Sequence, residues 1–485
     1  MSHPSLTKNT VYSTISSFCS IVFPFITLKY ASKRLGAEIL GNAEFARSFV
    51  SYFLLLGGVG IQALAGRNGA ALRNDREKLA AFSNSVFQLN CLSALCAFFL
   101  LLLFLHFTPR LQAEKSLILV FSLEIPFSVI SLEWLYCAFE DFRYIAIKNT
   151  ACQAVALVIL FTFVRGTDGG SVLCYAFAVV FAAYGASVLG FIRSKKYVKI
   201  SLLSKTQPFL YARDALVLFM NQLASAVYVH SDVTMLGFLS AGNEVGVYSA
   251  AAKVYTAIKM IAAAILNAAL PRFTFYVKNS EQEKYRRSVL FLMKSLLVIV
   301  PPLITVLLLK GKSILLLIAT EEYVSGHIPL LILSAAIVFS CIAMFCASAV
   351  LMPHGQEKVI LKSTICGAGI NIALNLILLP QIGAAGAALT TLIAEFAVSI
   401  VQLSKAAAFI KDEKRGLGSC VLSVSVGCAF IFAVSFFISA FGLPYYWDLF
   451  VTAAVSIPLY FATLLLLKNE IAVYFLNKLC GRKSA

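Results

Sequence analysis

Charge is scarce in this sequence: 13% of its 485 residues are Asp, Glu, Lys or Arg, against about 25% in soluble domains. Hydrophobic residues make up 60% and the mean hydropathy is +0.86. A soluble enzyme, a secreted disulfide scaffold and a disordered regulator are excluded, because none hides so much apolar surface from water. Catalytic signatures are missing as well. The five histidines, His3, His106, His230, His327 and His354, are scattered with no HExxH-like spacing. There is no P-loop, and the run Gly57, Gly58, Val59, Gly60 lies in an apolar helix, where small residues serve close packing. The twelve cysteines have neither paired extracellular spacing nor a CxxC arrangement, and read as small core residues. No sizeable hydrophilic loop is present to hold an active site. The longest outside connection, residues 310–326, is short and half apolar, so the chain is expected not to be an enzyme.

What is present is a succession of apolar runs. About fourteen are long enough to cross a bilayer. Their centres lie near Val22, Leu54, Phe98, Ser128, Leu157, Val180, Ala224, Ala257, Val298, Val338, Ile370, Leu392, Phe430 and Val455. The formal net charge of +17 is first a topological signal. With Lys8 inside, alternating the loops places roughly 28 basic residues on one side and roughly 8 on the other. Both termini are then cytoplasmic, and nucleic-acid binding is a poor reading of the basic balance. The N-terminus shows no cleavable signal pattern, since no small-residue cleavage site falls between Lys8 and Lys29.

Ionisable groups inside spans are costly and mark cavities or partners. In the seventh span Asp214, Asn221, Ser225, Tyr228 and Asp232 recur on one helix face, which fits either a water-filled lumen or interhelical hydrogen bonding. In the eighth, Tyr248, Tyr255 and Lys259 share one face, while Lys253 and Asn267 share another. Arg47 lies on a face with Ser51, Gly58 and Gln62, and Glu44 one turn earlier is placed to neutralise it. Lys294 stands near the inner end of the ninth span, where a lysine can snorkel. The twelfth span carries Thr391, Glu395, Ser399 and Gln402, and the eleventh Thr364, Asn371 and Asn375. A Pro380 to Gly383 turn joins these two spans.

A weak duplication overlays Leu40 and Gly41 on Val245 and Gly246, about 205 residues apart, and sets Arg47 one position from Lys253. It divides the chain into a six-helix bundle over 1–192, a basic cytoplasmic linker over 193–213, a second six-helix bundle over 214–405, and two added helices with a basic tail over 406–485.

Four stretches carry a resemblance to a known family. They are Gly60 to Ala71; Glu133, Trp134, Leu135, Tyr136, Cys137, Ala138, Phe139 and Glu140 through Arg143; Ser231 to Gly237 with Glu244 to Ala251; and Asn371 to Glu395. Together they resemble the polysaccharide-unit lipid flippases, the Wzx-type O-antigen transporters of the superfamily that also holds multidrug exporters and lipid II flippases. The second stretch departs from the family's Asp-Trp-x-x-Gln-Gly-x-Glu segment, with Glu133 for Asp, Cys137 for Gln and Ala138 for Gly.

The resemblance implies an all-α polytopic membrane protein of about fourteen transmembrane helices. Two pseudo-symmetric six-helix bundles would flank a central cavity, with two C-terminal helices added. It implies a flippase in the bacterial inner membrane that turns an undecaprenyl-pyrophosphate-linked oligosaccharide from the cytoplasmic to the periplasmic leaflet. Membrane lipid, a polysaccharide polymerase and chain-length proteins would be its neighbours. On this reading Arg47, Lys253, Lys259 and Lys294, the four bases counted inside spans, offset the anionic cargo, and Tyr248 and Tyr255 stack on sugar rings. Asn221, Ser225, Tyr228 and Gln62 add lumen polarity. No cofactor is expected beyond a coupling proton or Na⁺, loaded by Asp232, Glu395 or Glu133. An ion-coupled multidrug or cation exporter on the same scaffold, and a membrane-embedded polymerase or assembly scaffold, are the alternatives.

Overall fold

The computed structural model describes residues 6–204, 206–410 and 417–479, and among them no strand occurs. The chain divides into two compact units, Met1–Gly246 and Val247–Ala485. Among the described residues ten helices are long and apolar enough to cross a membrane, and α1 (Leu6–Gly58) with α2 (Ile61–Leu72) forms a further, bent pair. The protein is an all-α polytopic membrane protein, with helices consistent in number with fourteen spans.

Length forces two of these helices to break. At 53 residues, a straight α1 would run about 80 Å, against a hydrocarbon core of about 30 Å. It breaks at Gly36, whose φ of 78° is open to glycine at little cost. In the second unit α14 (Glu357–Ala406) breaks at Gly383, with φ 47° and ψ −127°. Its halves fold back on each other: Gln402 Nε2 donates to Ser363 Oγ (2.9 Å), 39 residues away, which a straight helix would hold about 58 Å apart. Between the halves Thr390 Oγ1 donates to Asn375 Oδ1 (2.6 Å) and Asn371 Nδ2 donates to Thr390 Oγ1 (3.4 Å), while within the first half Asn375 Nδ2 donates to Asn371 Oδ1 (3.1 Å). In lipid these amides have no water to turn to, so pairing across the hairpin satisfies them.

In the first unit α3 (Arg76–Phe107) begins on Asp75, which accepts from the Lys78 amide (3.0 Å). A short α4 (Pro109–Ala113) follows. The fourth span is not one helix but three: α5 (Lys115–Ser122), α6 (Glu124–Val129) and α7 (Glu133–Ala138). Next come α8 (Phe142–Phe163) and α9 (Gly169–Ser194). The Asp168 cap of α9 accepts from the Ser171 hydroxyl (2.7 Å) and amide (3.0 Å), which hold its carboxyl below the ordinary aspartate range. Beyond α9 the basic segment is stapled to α3. Asn84 Oδ1 accepts from the Ser201 amide (2.7 Å), and Gln88 Nε2 donates to the Leu202 and Ser204 carbonyls.

Helix α10 (Ala212–Leu239) misses the hydropathy of a span because of its polar face, yet its 28 residues reach about 42 Å. It packs on α1, and α11 (Gly242–Lys278) begins beside the same segment. Gly41 and Gly246, the pair overlaid in the duplication, meet here. A Cβ at Gly41 would stand 2.6 Å from the Gly246 nitrogen and closer still to the Gly242 carbonyl, so only glycine allows these backbones together. Arg110 fastens the same end, donating to the Gly237 carbonyl (3.0 Å) and to Asn42 Oδ1 (3.3 Å).

The second unit continues with α12 (Gln282–Ile318), α13 (His327–Phe345), α14, α15 (Leu417–Ser439), α16 (Tyr445–Leu466) and α17 (Glu470–Leu479). Here one expectation changes. Residues 310–326 are not simply a connection, because α12 runs through a kink at Lys310 to Ile318. Lys310 is buried, and its ammonium donates to both oxygens of Asp448 on α16 (2.7 and 2.8 Å) and to Ser439 Oγ on α15 (2.6 Å). A lysine with three such acceptors has no need to reach water. The pair docks the last two spans onto α12. Removing one partner of a buried pair typically costs about 3–5 kcal/mol, whereas an apolar replacement of both is near neutral. Lys310→Met or Asp448→Leu alone is therefore expected to lower the thermal unfolding midpoint in detergent, and the double substitution to recover most of it. Equal midpoints for all four proteins would contradict the docking role.

Candidate functional site

The break in the fourth span creates the site. Irregular backbone is tolerated at membrane depth only where it is buried in protein or lines a wet cavity. The gap between α6 and α7 opens on a cavity of about 730 Å³ within the first unit, inside the range of about 300–1,000 Å³ usual for small-molecule sites. Ser131, in that gap, turns its carbonyl to Gln62 Nε2 (2.9 Å).

From α1 come Glu44, Arg47, Ser48 and Ser51, from α6 Glu124 and Ser128, and from α7 Glu133. Tyr184 on α9 and His230 on α10 complete the polar wall. Arg47 Nε donates to Glu124 Oε1 (3.1 Å), so its ion-pair partner is a carboxylate 77 residues on rather than Glu44 alone. Glu133 accepts from Asn149 Nδ2 (3.2 Å) and faces the buried ammonium of Lys148 at 4.0 Å. Ser48 bonds Thr234 Oγ1 (2.7 Å) and donates to the His230 carbonyl (3.1 Å), tying α1 to α10 along one side. A second lobe of about 680 Å³ shares Ser51, Gln62, Ser128, Tyr184 and His230, and adds Gln222 and Ser225 with no charged side chain.

Arg47, Ser51, Gln62, Glu133 and Ser225, each singled out from the sequence, thus line one continuous space. Others fall elsewhere. Asp232 is buried on α10 and Tyr228 half-buried, neither in the lining; the Asn221 side chain lies outside the described residues.

In the second unit a separate cluster forms on α11 and α14. Tyr255 Oη donates to Glu395 Oε1 (2.6 Å), and Lys259 Nζ donates to the same oxygen (2.8 Å) and to Tyr255 Oη (3.1 Å). Tyr248 Oη lies 3.4 Å from Thr391 Oγ1. Both tyrosines are buried in this cluster, with their hydroxyls engaged. Lys253 is half-buried, two residues before Tyr255 and so turned to another face. Lys294 is buried and ion-paired with Glu470 on α17 (2.6 Å).

Sequence reasoning missed Glu124, Lys148, Tyr184 and His230. The first two carry a signal, since each is ionisable and falls within a span, as Arg47, Lys253, Lys259 and Lys294 do. Lys148 and Lys310 belong with them. The Glu133 to Arg143 stretch also divides in role. Only Glu133 faces the cavity. Trp134 packs against Gly69, Glu140 pairs with Arg73 (2.9 Å), and Asp141 accepts from Arg193 (2.9 Å) and Tyr197 (3.0 Å), so the remainder fastens one end of the bundle. Among the described residues no group of three or more His, Cys, Asp or Glu is placed to hold a metal ion.

Comparison with known proteins agrees with this architecture. A putative O-antigen transporter of Escherichia coli (strain K12) is 22% identical over 418 residues, covering 84% of this chain and 98% of its own. A putative O-antigen transporter of Shigella dysenteriae is 23% identical over 402 residues, covering 82% and 98%. Among solved structures, the lipid II flippase MurJ in an inward closed conformation superposes with a TM-score of 0.74 at 14% identity, covering 96% of this chain and all of that one. An inward-facing multidrug resistance transporter of the MATE family and MOP superfamily gives 0.60 at 15% identity, over 84% and 99%. These structures share the fold. Residues 6–277, more than half of the sequence, match a family of polysaccharide biosynthesis proteins, and it is to this family that the chain belongs.

Proposed function

We propose that this protein is a flippase for a lipid-linked oligosaccharide, the repeat unit of O-antigen or a related surface polysaccharide. It carries the unit on undecaprenyl pyrophosphate from the cytoplasmic to the periplasmic leaflet of the bacterial inner membrane, with both termini cytoplasmic. The observation that carries this reading is the polar cavity beside the broken fourth span. Discontinuous spans with buried charge mark substrate paths in transporters, and a hydrophilic glycan needs such a path while its lipid tail stays in the bilayer. The family match and the relatives' names support the cargo class. No bond is made or broken, so the protein is a transporter and not an enzyme.

The two six-helix bundles, 1–192 and 214–405, open alternately to the two sides, with 193–213 as linker and 406–485 as the addition. In this scheme the glycan meets Arg47, Gln62 and Tyr184, while Lys253 and Lys259 on α11 offset the pyrophosphate. Lys294 joins them only if its bond to the exposed Glu470 exchanges. Polymerase and chain-length proteins take the product.

In proteoliposomes, Arg47→Ala and Lys253→Ala are expected each to cut translocation of a lipid-linked oligosaccharide by about tenfold or more, a lost charge contact being worth about 1.5–3 kcal/mol. Arg47→Lys and Lys253→Arg should retain more. Full activity in both alanine variants would contradict the assignment.

Glu395, Asp232 and Glu133 are the candidates to load a coupling proton or Na⁺. Glu395 is the strongest, since one of its oxygens binds both Lys259 and Tyr255, so that protonation would release the pair. Imposed proton and Na⁺ gradients across vesicles decide this. Transport by the unaltered protein should follow one gradient, and Glu395→Gln should lose that dependence; indifference to both gradients would contradict ion coupling. A multidrug or cation exporter is the second reading, favoured by the three carboxylates in the cavity, and extrusion of a cationic dye by the same vesicles would support it.

A further inference from the structure

Between α9 and α10 the chain runs inside out. Four large apolar side chains, Leu202, Leu203, Phe209 and Leu210, stand at the surface, each more than half exposed and Leu203 to 94%. A single exposed leucine is ordinary, and membrane helices show apolar faces along their spans. These four lie beyond the last turn of α9 at Ser194 and before α10 begins at Ala212, on irregular backbone and one short 3₁₀ turn (Pro208–Tyr211).

The polar groups of the backbone are turned the other way, toward Asn84 and Gln88, one turn apart on α3. Asn84 Oδ1 accepts from the Ser201 amide (2.7 Å), and its Nδ2 donates to the Lys199 carbonyl (3.4 Å). Gln88 Nε2 donates to the Leu202 (2.9 Å) and Ser204 (2.8 Å) carbonyls, and Gln88 Oε1 accepts from the Thr206 hydroxyl (2.9 Å). Within the segment, the Leu203 amide donates to Ser201 Oγ (3.2 Å) and the Thr206 amide to the Ser204 carbonyl (2.9 Å). Val198 is buried and Ile200 packs into the cluster that holds Leu79 and Phe82. A loop in water can leave its backbone to the solvent and hide its leucines. This one satisfies its backbone from within the protein and presents its leucines, as surroundings of lipid demand.

Charge completes the pattern. Residues 195–214 hold five bases, Lys195, Lys196, Lys199, Lys205 and Arg213, against one acid, Asp214. Lys195, Lys196, Lys199 and Arg213 are exposed, whereas Arg193, just before them, is taken by Asp141. Exposed apolar side chains flanked by unburied bases are the composition of segments that lie in an anionic membrane interface.

We propose that residues 195–213 dock onto a leaflet rich in anionic phospholipid. Leu202, Leu203, Phe209 and Leu210 enter the boundary between headgroups and acyl chains, and Lys195, Lys196, Lys199 and Arg213 bind the lipid phosphates, their stems lying along the apolar layer. Asn84 and Gln88 are positioning residues, which hold the backbone so that these side chains face outward. The segment is then a membrane anchor as well as a connection. Nothing in this depends on the cargo, so it stands or falls apart from the flippase reading.

Leu203→Trp in the full-length protein, reconstituted in nanodiscs, reports the surroundings of that side chain once the emission of Trp134 and Trp447 in the unaltered protein is subtracted. The added emission is expected to fall by about half or more with phosphatidylcholine brominated on the upper acyl chain, and to resist acrylamide, because the ring sits about 5–10 Å into the boundary. Phe209→Trp is the second reporter and should behave alike. Quenching by acrylamide with no effect of the brominated lipid, at either position, is the result for a segment in water or one awaiting a protein partner, and overturns the docking.

The same reporters read the headgroup. At equal mole fraction, brominated phosphatidylglycerol should quench about twice as strongly as brominated phosphatidylcholine, since the bases draw anionic lipid to the segment. Lys195→Gln, Lys196→Gln and Lys199→Gln together should narrow that difference, as should high salt. Equal quenching by the two lipids with the lysines in place, or a preference undiminished by the triple substitution, overturns the anionic assignment.

Discussion

A charge placed in hydrocarbon must find its counter-charge inside the protein, because no water is there to supply it. This constraint organises the whole molecule. Arg47 is held by Glu124, Lys148 by Glu133, Lys259 by Glu395, Lys294 by Glu470 and Lys310 by Asp448. Each pair joins two different helices, so each is also a fastening. They differ in what surrounds them. Lys310 and Asp448 are both buried against a neighbouring serine, which suits a fixed joint. Arg47 keeps 39% of its side chain exposed beside a cavity, which suits a surface that meets cargo.

Backbone obeys the same constraint as side chains. The fourth span breaks at residues 130–132, and the Ser131 carbonyl released there is taken by Gln62 from α2. The basic segment after α9 gives its Leu202 and Ser204 carbonyls to Gln88. At both places a side chain from elsewhere completes the hydrogen bonds. The cavity lies beside the first of them, and Ser131 is part of its lining.

Much of this was legible in the sequence, for definite reasons. Apolar runs of span length gave the architecture, and helical spacing placed Arg47, Ser51 and Gln62 on one face, where the cavity indeed gathers them. The turn between the eleventh and twelfth spans was readable from Pro380 and Gly383. What a one-dimensional pattern omits is the partner across the gap. Glu44, one turn from Arg47, was the visible neutraliser, whereas Glu124 is 77 residues away and comes close only through packing. Tyr248 and Tyr255 looked like a sugar platform by periodicity, but burial against α14 and the bond to Glu395 engage their hydroxyls. Lys310 follows an apolar run and so has the pattern of a span end; Asp448, which keeps it inside, lies 138 residues on.

A flippase is defined by direction and cargo, here the passage of a lipid-linked repeat unit across the membrane. Its most direct measurement is the leaflet distribution of that lipid in cells lacking the protein, read by access of an impermeant sugar-labelling reagent from the periplasm. The account predicts that lipid-linked repeat units accumulate beyond the reagent's reach, in the cytoplasmic leaflet. Unchanged labelling from the periplasmic side would contradict it.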